Sequence, residues 1–182
     1  MTEKVSKLPL KHAPHLLIIL RRMCYSLISF NQGKTMIKEY ELVSHTADLK
    51  MYAFGVTFEE LFRNALRGMF SAIKPHGPGI SYSHEEPHIS HYTAKHTVVI
   101  RSSDTETLLV DFLSECLYLS DVHNEAYLDA TFTELTPTEL EGIIFGAPIT
   151  GFEVVEIKAV TYHDLQLEQI EGIWRATIVF DI

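Results

Sequence analysis

Residues 40–73 read YELVSHTADLKMYAFGVTFEELFRNALRGMFSAI, and the hydrophobic period changes partway along. LKMYAF (49–54) alternates, with Leu49, Met51 and Ala53 on one face and Lys50, Tyr52 and Phe54 on the other, the period of a strand. Gly55 ends it. Thr57 and Glu60 then have capping-box spacing, with Thr57 as N-cap and Glu60 reaching back. Leu61, Phe62, Ala65, Leu66, Met69, Phe70 and Ile73 recur at helical spacing and form one apolar stripe. Pro75 and Gly77 stop the helix. Upstream, IKEYELV (37–43) reads as a strand. The corner between the two strands is SHTAD (44–48), where a plain turn would favour glycine or asparagine. A histidine, a threonine and an aspartate there raise the question of a site.

Outward from this unit the pattern repeats in kind. Residues 74–92, rich in Gly, Pro, Ser and His, read as a long loop. Residues 93–101 form a strand. Ser103 and Asp104 can cap a second helix reaching about Leu119, with a stripe of Leu108, Leu109, Phe112, Leu113, Cys116 and Leu117. Its other face carries Asp111 and Glu115, one turn apart, at a cost of about 0.2–0.5 kcal/mol. A solvated face tolerates that, and a docking face for a basic partner would explain it equally well. Residues 127–135 and 139–145 alternate as strands, and Gly146, Pro148 and Gly151 break the chain. VEIKAVTYHDLQLEQ (155–169) and GIWRATIVFDI (172–182) make two strands around a turn at Glu171 and Gly172. The fold class is α+β: mostly antiparallel sheets of about seven strands, with two amphipathic helices packed on them.

The 182 residues, 46% apolar and 21% charged, suit one soluble domain with an appendage. Cys24 and Cys116 form no disulfide framework and no zinc pattern, which favours a reducing, cytoplasmic setting. Residues 1–35 carry six Lys/Arg and one acid, Glu3. The rest of the 15 bases and 24 acids, nine and twenty-three, give residues 36–182 a formal charge of −14. Such a body repels phosphate backbones, so direct nucleic-acid binding is not expected; protein partners or cations fit better. In HLLIILRRMCYSLISF (15–30) Arg21 and Arg22 split the apolar run, and neither half reaches the roughly 20 residues of a membrane span. An interfacial helix is one reading. The favoured one makes residues 1–35 an extension outside the fold and 36–182 the domain.

Several residues could carry chemistry. In the last strand Asp181 precedes Ile182, so a terminal carboxylate lies beside an aspartate. Two anions at that range repel unless they are solvated or share a cation. A hard cation such as calcium would need a third oxygen donor, at about 2.3–2.6 Å. Asp48 could supply it, although alone it reads as a turn acceptor. Lys158, in an apolar run, reads as snorkelling from an edge strand or as a cation paired to carboxylates. His163 and Asp164, adjacent in a strand, face opposite ways and are no dyad. His76, His84, His88, His91 and His96 sit without cysteines in or near the loop and read as exposed rather than zinc-binding. No P-loop, GxGxxG, GxSxG or HExxH pattern occurs.

YELVSHTADLKMYAFG with FEELFRNAL behind it, LLVDFLSECLYL (108–119), and IKAVTYHDL with a terminal IVFDI together resemble the archease family, over residues 40–182. The resemblance implies a non-enzymatic activator of an RtcB-type RNA ligase. Such a protein promotes the ligase's GTP-dependent guanylylation and multiple turnover in tRNA splicing and RNA repair. It further implies a divalent-cation site, calcium being the usual ion, at the positions of Asp48, Asp181 and Ile182. His45, Lys158 and His163 are then the residues expected at the surface that acts on the partner. Ser44 departs from the acid that often precedes HTAD in the family, removing one negative charge beside the site. Two other readings stand beside this one, a metal-dependent phosphoester hydrolase and a general chaperone.

Overall fold

The computed structural model describes residues 28–31, 34–44, 48–154 and 156–182. Its contacts divide the chain into two units, Met1–Lys38 and Glu39–Ile182. In the first, β1 (Ile28–Asn31) and β2 (Lys34–Ile37) pair antiparallel. The apolar stretch 15–30 lies outside the described residues except for its last three positions.

The second unit runs β3 (Tyr40–Ser44), β4 (Asp48–Gly55), α1 (Phe58–Ile73), β5 (Pro75–His76), β6 (Ile80–Ser83), β7 (Glu86–Ile89), β8 (Ala94–Arg101) and α2 (Thr105–His123). It continues with β9 (Glu125–Leu135), β10 (Glu139–Pro148), β11 (Gly151–Phe152), β12 (Ala159–Ile170) and β13 (Ile173–Asp181). Four strands form one sheet in the order β12-β13-β4-β3, and three form another in the order β8-β10-β9. Every pairing is antiparallel, so the fold is α+β as the sequence predicts, with more strands than about seven.

Alternation on β4 delivers Leu49, Met51 and Ala53 to the core, and on β13 it delivers Ala176, Ile178 and Phe180. Helix α1 lays its stripe between the two sheets, packing on β4 and on β9. Phe62, fully buried, meets Phe58 at 4.8 Å, Phe112 of α2 at 5.8 Å and Phe132 of β9 at 6.4 Å between ring centroids. One ring therefore touches both helices and a strand of the second sheet.

The capping box forms as read. Thr57 Oγ1 accepts from the Glu60 N–H at 3.1 Å, and Glu60 Oε2 accepts from the Val56 N–H at 2.8 Å and the Thr57 N–H at 3.4 Å. Thr57→Ala should cost about 1 kcal/mol, read as a lower urea midpoint at unchanged slope. Asp104 caps α2 by accepting from the Thr107 N–H at 2.8 Å, a bond that holds its carboxyl below the usual aspartate range. Its contribution is complete above the ordinary aspartate pKa and is lost as pH falls through the depressed value. The difference in Tm between wild type and Asp104→Asn should therefore shrink in acid.

Four boundaries differ from the reading of the sequence. Ile37 pairs within β2, so β3 starts at Tyr40. Residues 74–92 are not one loop. β6 and β7 form a hairpin whose two turn residues, His84 and Glu85, both have positive φ, the backbone that a two-residue hairpin turn requires. Helix α2 continues one turn past Leu119 to His123, where Asn124 in the left-handed conformation ends it. Strand β10 runs through Gly146 to Pro148, because the ladder shifts register there. A Cβ at Gly146 would stand 2.2 Å from the Ala126 carbonyl oxygen, so glycine permits the close approach instead of ending the strand.

Asp111 is also a correction. It is half-buried and accepts from Ser102 Oγ at 2.5 Å and Tyr162 Oη at 3.0 Å. A carboxylate holding two hydroxyl donors ties α2 to β12 and is not part of a freely solvated face.

Candidate functional site

Strand β13 lies between β4 and β12, and its register with each places the last residues of the chain. Asp181 stands directly opposite Asp48 on β4 and opposite Ala159 on β12. Directly opposed residues in an antiparallel pair have Cβ atoms about 4.5–5.5 Å apart. The Lys158 N–H donates to the Asp181 carbonyl at 2.8 Å, so the backbone at Asp181 is held by the chain on its other side. Both aspartates are exposed, while the Ile182 side chain packs against the core. The end of β13 is anchored by an apolar side chain and presents the Asp181 carboxylate to solvent.

Among the described residues neither Asp48 nor Asp181 has an ion pair. Like charges directly opposite destabilise a sheet, a repulsion that solvent relieves at these exposed positions and that a shared cation would relieve further. Among the described residues no three His, Cys, Asp or Glu side chains converge as a ligand set. The two aspartates fit a hard cation only if a third oxygen donor completes them.

Beside the pair, an open pocket is lined by Asp48, Lys50, His163, Asp164 and Val179. Lys50 Nζ donates to Asp164 Oδ2 at 2.9 Å. That bond raises the Lys50 pKa and, with the adjacent positive charge, lowers that of Asp164. Asp164 Oδ1 faces His163 Nε2 at 3.8 Å. The expectation that His163 and Asp164 point to opposite faces is therefore wrong. It assumed regular strand, whereas β12 is irregular here: its register jumps from Thr161↔Val179 to Gln166↔Thr177, and Asp164 has φ 52°.

Lys158 is exposed and reaches the site through its backbone rather than its ammonium. His45 falls at 45–47, outside the described residues. Lys50 is the residue that the reading of motifs missed. Its signal was there, since Lys50 is two residues from Asp48 and so shares its face in a strand. Among the histidines of the 74–96 stretch, His96 is set apart: Nε2 lies 2.7 Å from Glu125 Oε2, and the ring stacks on His123 at 4.5 Å.

The description of the archease protein family (MTH1598/TM1083) matches residues 40–182. The chain belongs to the archease family. Protein archease of Methanosarcina mazei is 38% identical over 153 residues, covering 80% of this chain and 97% of that one. Its counterpart in Methanosarcina acetivorans is 39% identical over 154 residues, with the same coverage. In solution structure, protein 1598 of Methanobacterium thermoautotrophicum shares the fold at TM-score 0.62 and 27% identity, over 80% of this chain and all of that one. The crystal structure of an archease and possible chaperone from Thermotoga maritima agrees in fold at TM-score 0.52 and 24% identity, over 77% of this chain and 94% of that one. The archease match begins at β3, so the antiparallel β1–β2 pair falls outside it. Cys116 lies fully buried in the family domain, where desolvation pushes its thiol pKa up, which keeps it inert. Among the described residues no helix is long and apolar enough to cross a membrane.

Proposed function

We propose that this archease activates an RtcB-type RNA ligase in the cytoplasm, promoting its GTP-dependent guanylylation and multiple turnover in tRNA splicing and RNA repair, without catalysing a reaction of its own. The observation that carries the reading is the opposition of Asp48 and Asp181 at an exposed sheet end, in a chain of this family. Asp48, Asp181 and the carboxylate of Ile182 would hold calcium or another divalent cation, a hard ion that prefers such oxygen donors. When bound, the cation supplies positive charge that relieves the repulsion between the aspartates and can be shared with partner carboxylates or phosphates. The chain's own residues do the rest. The ladder between β4 and β13 fixes the two aspartates, the Lys158 N–H fixes the backbone at Asp181, and His163 stands in the neighbouring pocket. His45, Lys158 and His163 are the partner-facing groups.

The acidic body complements a ligase site built to hold GTP and RNA phosphates, and that charge complementarity favours encounter with the ligase. The same charge disfavours direct RNA binding. The test is a guanylylation and multiple-turnover assay with the RtcB-type ligase of the same organism. Substoichiometric protein should raise both rates, and equal rates with and without it would contradict the reading.

The placement of His163 in one pocket with Asp48 favours a second reading, a metal-dependent phosphoester hydrolase. Such sites carry more ligands and a defined base, and the described residues provide no three-residue ligand set. Turnover of phosphoesters with no ligase present would support it. A general chaperone should instead suppress light scattering by an unfolded client.

A further inference from the structure

The bulge in β12 covers the outer face of the sheet, and the way it is held points to two residues with a shared role. Between its paired positions Thr161 and Gln166, β12 has four residues where β13 has only Ile178. Residues 162–165 therefore have no ladder of their own: His163 and Asp164 lie with Val179 on the side of β13 that faces away from the core, while Leu165 packs toward the core and Tyr162 reaches α2. Val179 on that side is only 3% exposed, and alternation alone would have left it in solvent.

Three tethers hold the bulge. Tyr162 donates to Asp111 of α2 at 3.0 Å. Leu165 packs against the core. Asp164, in the left-handed conformation, takes Lys50 Nζ on Oδ2 at 2.9 Å. His163 is the remaining residue of the four; its side chain is 74% exposed and lines the pocket with Asp48 and Val179. The first two tethers fix the ends of the bulge. Only the third acts from β4, the strand that also carries Asp48. Asp164 takes Lys50 on Oδ2, and its Oδ1 lies 3.8 Å from His163 Nε2, near neighbours without a hydrogen bond.

We infer that Lys50 and Asp164 are positioning residues: their ion pair pins the β12 bulge across β4 and β13 and so holds His163 beside the Asp48–Asp181 edge. This rests on the reading of that edge as the surface that acts on the ligase. With Asp164 exposed and Lys50 a quarter exposed, the pair is screened by solvent and adds little to overall stability, so its purpose is local order, and its loss should leave the fold intact.

The experiment compares full-length wild type, Lys50→Met and Lys50→Arg. The first readout is the NOE between the His163 ring and the Val179 methyls, which needs no ligase. The second is stimulation of ligase guanylylation. Lys50→Met should lose the NOE and at least ~10-fold of the stimulation at an unchanged Tm. Lys50→Arg, which keeps a donor to Asp164, should retain both. An NOE preserved in Lys50→Met overturns the inference, and so does loss in both variants alike, or full stimulation by Lys50→Met when Asp48→Ala stimulates nothing. If Asp48→Ala stimulates like wild type, the reading of the edge fails instead, and the NOE alone still decides whether Lys50 positions His163.

Discussion

Phe62→Ala should lower the free energy of unfolding by about 3–5 kcal/mol, the range for removing a buried aromatic ring. Phe62 is fully buried and its ring meets those of Phe58, Phe112 and Phe132. Those partners sit on α1, on α2 and on β9, so a cavity there separates elements that no backbone ladder joins. Domains have only about 5–15 kcal/mol in total, so this single change removes a large share. The chain has one tryptophan, Trp174, and its ring lies 5.4 Å from that of Phe58. Urea unfolding followed by Trp174 fluorescence thus reports directly on this cluster. Phe62→Leu, which keeps more of the volume, should cost markedly less.

Much of this core was legible in the sequence, because burial follows period. Leu61, Phe62, Ala65, Leu66, Met69, Phe70 and Ile73 are all buried, as the 3.6-residue spacing requires. The caps at Thr57 and Asp104 were legible because an oxygen-bearing side chain before an apolar run satisfies the first free N–H groups. Places where chain conformation departs from a period were not legible. Gly146 reads as a breaker and acts as a point of close approach. His84 and Glu85 carry a hairpin turn without the usual Asn-Gly pair. The β12 bulge inverts the facing of His163 relative to Asp164, since alternation holds only while the ladder holds. The carboxylate edge was half legible. The strands at Asp48 and Asp181 followed from alternation, but only the register of β4 against β13 sets the two aspartates opposite each other.

Asp48→Ala and Asp181→Ala should keep the fold and lose the response to cation. Both side chains are exposed at a strand end, so no core contact is lost, and removing one of two opposed like charges relieves repulsion. Without added metal, Tm should stay equal to that of wild type or rise slightly. With calcium the order should reverse. A ligand at about 100 times its Kd adds about 2.7 kcal/mol, which is several degrees for a domain of this size. Wild type should show that shift, and neither variant should. A chelator should abolish it in wild type and change nothing in the variants. Ser44, in place of the acid common in the family, predicts that Ser44→Asp binds the cation more tightly than wild type.

The proposed function stands on the Asp48–Asp181 edge acting on the ligase. Guanylylation of an RtcB-type ligase by GTP, measured with wild type, Asp48→Ala or Asp181→Ala at equal concentration, tests it most directly. Strong stimulation is expected from wild type and none from either variant, all three being equally folded. Full stimulation by the variants would contradict it.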